Sequence, residues 1–250
     1  MSVRIGIIDS GVNLFHSHVG GISGGVCLWR GADGRIEASD DFRDVLGHGT
    51  AVAGVIRWKA PDAELYAIKV FHRQLATTAE VITEAIRWAL GKKLKLINLS
   101  LGSHNLEHTA LFQHICDEAL RQGSIVVAPA RSQGQVVLPG SLACCLGVAL
   151  IDPCEPDEYF YRQRSGQVEF LASRWPRDLP GVPRERNLNG LSFAVAHITG
   201  FAARIVREQP DTSLADIERQ LIQAAREIPE NQTSLHPSFQ FDSDGPGHRL

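Results

Sequence analysis

The run Val3-Arg4-Ile5-Gly6-Ile7-Ile8, closed by Asp9-Ser10-Gly11, constrains the fold more than any other stretch of the chain. It is β-branched and almost continuously apolar, without the alternation of a strand that has one wet face. Such a strand is covered on both faces, as in the middle of a parallel sheet. Strand-like runs recur at Val26–Trp29, Glu64–Val70, Leu94–Leu99, Ser124–Ala128 and Cys145–Leu150, with a weaker one at Val168–Ala172. Between them lie segments with helical spacing at His48–Trp58, Thr78–Leu90, Glu107–Gln122 and Leu191–Glu208. Gly123 is placed to end the third of these. A last amphipathic helix is expected over Ser213–Glu227, capped by Thr212 or Ser213. Strands alternating with helices predict an α/β, single-domain, three-layer fold with a mostly parallel central sheet and helices on both faces.

Composition narrows the function classes. A chain of 250 residues can bury one large core, and 44% hydrophobic with 21% charged residues is ordinary for a folded domain. Residues 1–229 are expected to form that domain. Residues 230–250, polar and rich in Pro, Gly and Ser, are expected to be a mobile tail. A net charge of −3 gives no electrostatic reason to expect nucleic acid or an acidic membrane as partner. No apolar run approaches the roughly 18 residues of a spanning helix. No secretory signal precedes the first strand. The five cysteines (Cys27, Cys116, Cys144, Cys145, Cys154) are odd in number and lack paired metal-type spacing. They are read as free buried thiols in a reducing compartment, so a cytoplasmic location is expected.

Three separated segments could carry chemistry. Asp9 stands at the carboxyl end of the first strand, where functional groups of open α/β sheets gather. His48 is flanked by Gly47 and Gly49 at the start of a helix, a setting that favours a neutral imidazole. Ser192 opens the helix after Asn189-Gly190-Leu191, where nearby amides could stabilise an oxyanion. Each alone has a plainer reading: an Asp-Gly turn, a packing histidine, an N-capping serine.

Taken in order, Asp9-Ser10-Gly11-Val12, Gly47-His48-Gly49-Thr50 and Gly190-Leu191-Ser192-Phe193-Ala194 resemble the three signature segments of the subtilisin-like (subtilase) serine peptidases. The resemblance extends to His16, to Ile97-Asn98-Leu99-Ser100-Leu101-Gly102, and to His197 and Gly200, across roughly Val3–Ile205. It implies a subtilisin-like fold and an endopeptidase in which Ser192 attacks a peptide carbonyl. His48 acts as base and then acid, and Asp9 orients the imidazolium. It further implies that Ser100, Leu101 and Gly102 pair with extended substrate, facing Ala128, Pro129 and Ala130.

The chain departs from the family at the Asn that donates to the oxyanion: an ungapped reading puts Ser132 there and Arg131 before it. Ser132 or Gln133 could replace the donor, or Arg131 could swing in as a charged one and select acidic substrates. Alternatively the enzyme is slow, or the cleft is a peptide-binding pseudopeptidase. Acyl transfer or peptide ligation by the same serine is a further alternative. Leu191 and Ala196 replace the family's usual Thr and Pro. The short stretch before Asp9 suggests a compact form without signal or prodomain, expected to process a specific precursor peptide or partner protein in the cell. No cofactor and no metal are expected. His16 and His18 lack further ligands, and Asp33, Asp40, Asp41 and Asp44 do not match a calcium loop and read as a solvated acidic turn. A structural calcium is therefore unsupported.

Overall fold

The computed structural model describes residues 2–229, so the expected tail at 230–250 lies outside the described residues. In chain order the first half comprises β1 (Arg4–Asp9), β2 (Gly24–Arg30), β3 (Ile36–Ser39), α1 (His48–Lys59), β4 (Glu64–Lys69), α2 (Ala79–Gly91), β5 (Leu96–Leu99) and α3 (Thr109–Arg121). The second half comprises β6 (Ile125–Pro129), β7 (Arg131–Ser132), β8 (Gln135–Val136), β9 (Cys145–Leu150), β10 (Tyr159–Arg164), β11 (Gln167–Ala172), α4 (Leu191–Glu208), α5 (Leu214–Ala224) and β12 (Arg226–Glu227).

Ten strands form one sheet in the order β12-β10-β11-β9-β6-β5-β1-β4-β2-β3, and β7 with β8 forms a separate hairpin. β1 lies inside it with parallel neighbours β4 and β5, as its apolar run requires. Antiparallel pairing is confined to the flanks, between β2 and β3 and between β10 and β11. The sheet's two faces follow the strand alternation. Ile5, Ile7, Leu65, Val127 and Val148 pack towards α1, α4 and α5, whereas Ile8, Ile68, Ile97 and Val126 pack towards α2 and α3. Each such side chain contributes about 1.5–3 kcal/mol by leaving water. No helix among the described residues is long and apolar enough to cross a membrane.

One expectation is corrected at the sheet's edge, and one strand there was not foreseen. The last helix stops at Ala224 instead of reaching Glu227, and residues 226–227 pair with β10. β10 itself lacks a strong apolar pattern. It forms by hairpin pairing with β11 through Ser165-Gly166, both at positive φ, the two-residue turn that suits strand twist.

The contact between α1 and α4 positions the site. A Cβ added at Gly200 would stand 2.4 Å from Lys59 Cβ, so α4 can approach α1 this closely only with glycine there. Lys59 is buried in the crossing, paired with Asp157 and lying over the rings of Trp58 and Phe201 at 4.5 and 5.0 Å. At the other end of the contact, the His48 and Phe193 rings lie 5.6 Å apart. The two helices therefore run in the same sense and bring both amino termini to one place.

His197, on the buried side of α4, donates from Nε2 to the Trp175 carbonyl at 2.9 Å. Its Nδ1 is buried without a hydrogen-bond partner among the described residues. Burial pushes the imidazole down to about 4. The unfolded chain therefore takes up a proton between about pH 6.5 and 4 that the folded chain refuses, and stability falls with pH through that window. Going from about pH 7 to about pH 5 should cost about 2 kcal/mol from this residue. Denaturant unfolding of wild type and His197→Leu at the two pH values tests this, the variant losing that share of the pH dependence.

Candidate active site

Asp9 ends β1 and is 1% exposed. Its Oδ1 accepts from the Ser10 amide at 2.7 Å and meets His48 Nδ1 at 2.7 Å. A carboxylate can only accept here, so Nδ1 carries the proton and neutral His48 keeps its lone pair on Nε2. The approach depends on Gly49. A Cβ there would fall 2.3 Å from the Gly11 carbonyl oxygen and 3.1 Å from Asp9 Cβ. The helix can therefore start against the end of β1 only with glycine at that position.

The pKa of His48 is raised above the ordinary histidine value. Burial works against the charged form, but the charge of Asp9, its hydrogen bond and the charge of Asp44 outweigh it. This is the electrostatic setting of a base whose protonated form the site stabilises.

Sequence reading missed Asp44. Grouped there with a solvated acidic turn, it instead turns inward: Asp33 and Asp41 pair with Arg35 and Arg43 at the surface, while Asp44 anchors the start of α1. Its Oδ1 accepts from Ser10 Oγ and the Leu46 and Gly47 amides, each at 2.9 Å. Its Oδ2 accepts from the Thr50 amide at 2.9 Å and from Thr50 Oγ1 at 2.6 Å. Ser10 Oγ in turn accepts from the Gly49 amide, and Thr50 Oγ1 accepts from the Asn13 amide. One carboxylate thus ties the end of β1, the Asn13 loop and the first turn of α1 together around His48. An acid four residues before a histidine that opens a helix was the available signal.

Ser192 lies in the first turn of α4, after Gly190 at φ 146°, where amides have no partner within the helix. Its hydroxyl donates to the Ser100 carbonyl at 3.1 Å. Asn98, fully buried at the end of β5, donates to Ser100 Oγ at 2.7 Å and accepts from Thr199 Oγ1 on α4 at 2.9 Å. It ties the Ser100 segment to the Ser192 helix. Beside that segment, a cleft of about 290 Å³ is lined by Phe71, Leu75, Ile82, Leu101, Glu80 and His108.

The second expected wall is part of the sheet. Ala128 and Pro129 are buried strand residues paired with Gly147 and Val148 of β9. Ala130 gives its amide to the Val148 carbonyl and its carbonyl to the Val137 amide. Leu101 and Gly102, which follow Ser100, line the cleft directly. Arg131, expected as a charged donor or acid-selecting group, is held by partners on the sheet side. Its Nε donates to Glu169 Oε1 at 3.0 Å and its Nη1 to the Gly134 carbonyl at 3.2 Å. Glu169 also holds Arg162 at 2.8 Å in a buried pair. An unpaired buried carboxylate is costly, so Glu169 draws both guanidiniums towards the sheet. Ser132 is half-buried on β7, and Gln133 is exposed in the Gln133-Gly134 turn, both residues at positive φ.

A three-layer α/β domain with an Asp–His pair at a strand end and a serine in the first turn of an adjacent helix has the makings of a serine hydrolase. The chain belongs to the subtilase family: the family model described as "Subtilase family" matches residues 1–242. It is a serine endopeptidase of the subtilisin type, similar to subtilisin DY of Bacillus licheniformis, at 28% identity over 96% of this chain and 87% of that protein. It is similar also to subtilisin E of Bacillus subtilis, at 27% identity over 88% of this chain and 59% of that protein. The chain spans 62% of an alkaline protease of Alkalihalobacillus alcalophilus that it matches at 27% identity. Its fold resembles solved structures described as a lanthipeptide protease and as a cold adapted subtilisin-like serine proteinase. The TM-scores are 0.68 and 0.69, at 20% identity, covering 91% and 92% of this chain and 81% and 85% of theirs.

Replacing Asp44 by Ala should cost about 1–3 kcal/mol of stability, because several donors lose a charged acceptor. It should also lower kcat more than it raises KM. Denaturant unfolding and steady-state peptide hydrolysis would check the two effects.

Proposed function

We propose that this subtilase cleaves peptide bonds through an acyl-enzyme on Ser192, with His48 as base and then acid and Asp9 as its orienting carboxylate. The observation that carries the reading is the 2.7 Å contact between Asp9 and His48 Nδ1. It fixes the tautomer that leaves Nε2 ready to accept the serine proton. The amide of Ser192, in the first turn of α4, supplies one donor to the oxyanion, and Ser132 is the proposed second. Extended substrate runs along Ser100–Gly102, with an apolar side chain in the cleft lined by Leu75, Ile82 and Leu101.

Limited processing of a precursor peptide or partner protein within the cell is the proposed role. The altered oxyanion segment supports it, because lower turnover is tolerable on a substrate held by many contacts. In subtilisin itself, loss of the Asn donor costs about 10²–10³ in turnover. The fold likeness to a structure described as a lanthipeptide protease is consistent with such a role. A second reading, a peptide-binding module with a quiet Ser192, is favoured by the hydroxyl's donation to the Ser100 carbonyl.

Fluorophosphonate treatment followed by intact-mass measurement separates the two. A single adduct on wild type, absent from Ser192→Ala, is expected. No adduct under conditions that label a control peptidase would leave the binding reading. Active enzyme should lose about 10⁶-fold in kcat in Ser192→Ala, the loss known for subtilisin.

The pH profile is a further check. Because His48 is raised, the acidic limb of kcat/KM should have its midpoint above about 6.5, activity rising as the imidazole loses its proton. Asp9→Asn should move that midpoint down and lower kcat by about 10⁴-fold. An unmoved limb would remove His48 from the role of base.

A further inference from the structure

Away from the active site, on the α2 and α3 face of the sheet, three thiols converge. Cys116 comes from the buried side of α3, and Cys144 and Cys145 form the entry to β9. All three are buried, and their Sγ atoms lie within 4.8 Å of one another. No other group of three or more His, Cys, Asp or Glu ligand atoms is gathered this closely among the described residues. Cys27 and Cys154 stand apart, the first 4.0 Å from His72 Nε2 and the second 3.5 and 3.4 Å from the Glu155 and Glu158 carbonyls.

The spacing suits one ion. Sulfurs bound at about 2.3 Å to a common centre stand about 3.8–4.0 Å apart in tetrahedral or trigonal arrangement, so closing the group needs movements under about 1 Å. An outer partner is in place. Gln113, on the same helix as Cys116, donates from Nε2 to Cys144 Sγ at 3.3 Å and to Asp117 Oδ1 at 2.9 Å. Outer hydrogen bonds of this kind orient a ligand and offset its charge.

We propose that Cys116, Cys144 and Cys145 bind a thiophilic divalent metal ion of the zinc class. Binding releases three thiol protons to solvent and forms three metal–sulfur bonds without electron transfer. The resulting unit carries one net negative charge, which the Gln113 amide partly offsets. An ion there ties α3 to the segment leading from the cleft. Cys144 follows Leu138, which pairs with Ser103, and Gly140, where an added Cβ would meet the Pro129 carbonyl oxygen at 2.2 Å. The ion therefore acts as a structural clamp behind the Ser100–Gly102 segment, distinct from the hydrolytic groups.

The test uses the full chain, freed of metal, reduced with a phosphine and titrated with Co(II). One equivalent should bind with intense thiolate-to-cobalt charge-transfer absorption, and Zn(II) should displace it. Bound Zn(II) should protect three of the five cysteines from alkylation, mapping to positions 116, 144 and 145, and should raise Tm. Cys144→Ser and Cys116→Ser should weaken affinity about 100-fold or more, and Gln113→Leu about 10-fold. Cys27→Ser and Cys154→Ser should leave it unchanged. Absence of the charge-transfer band, protection gained on adding Zn(II) at other cysteines instead, or an unchanged band in Cys144→Ser would overturn the site. The protection map is read on wild type, so it decides the matter even where a serine variant fails to fold.

Discussion

The close, same-sense packing of α1 on α4 is the constraint on which the rest depends. Both helices lie on one face of the sheet, and glycine lets them meet at Gly200 against Lys59. Their shared direction puts His48 and Ser192, which begin or nearly begin their helices, at the same edge of the sheet as Asp9. A residue with a side chain at Gly49 or Gly200 would force the backbone apart, and tightly packed interiors do not absorb such a shift. Helix packing therefore sets where the two candidate groups stand. Asp44 and Asn98 finish the work, the first anchoring α1 to β1 and the second joining the Ser100 segment to α4.

The oxyanion region obeys a different constraint. Where relatives carry an amide side chain, this chain turns through a two-residue hairpin at Gln133-Gly134. Buried Glu169 then takes hydrogen bonds from Arg131 and Arg162. A buried carboxylate needs that pairing, and the pairing holds the base of the hairpin against β11. The same interaction ties Arg131 to Glu169 and, through Gly134, to its own turn. The hairpin and its ion pairs are thus parts of one arrangement, anchored on Glu169.

The three-thiol group shows how far spacing along a chain can mislead. Adjacent Cys144 and Cys145 should face opposite sides of a strand. Because β9 begins only at Cys145, Cys144 lies in the turn before it, and both sulfurs reach Cys116.

Much of the architecture was legible because it rests on local pattern. The continuous apolar run of β1, the alternation of strands with amphipathic segments, and the Gly-flanked His48 follow from side-chain periodicity and backbone preference. The sequence by itself therefore determined a largely parallel three-layer sheet, and the order Asp9, His48, Ser192 pointed to one family. Tyr159–Arg164 was not legible as a strand, because its buried Arg162 is paired with Glu169 across the hairpin. The role of Asp44 and the direction of Arg131 were hidden for a related reason. A charged side chain goes wherever a buried partner of opposite sign or a set of unpaired amides awaits it, and those partners are set by tertiary contact. Periodicity decides which residues are inside; only the folded arrangement decides which polar groups inside meet one another.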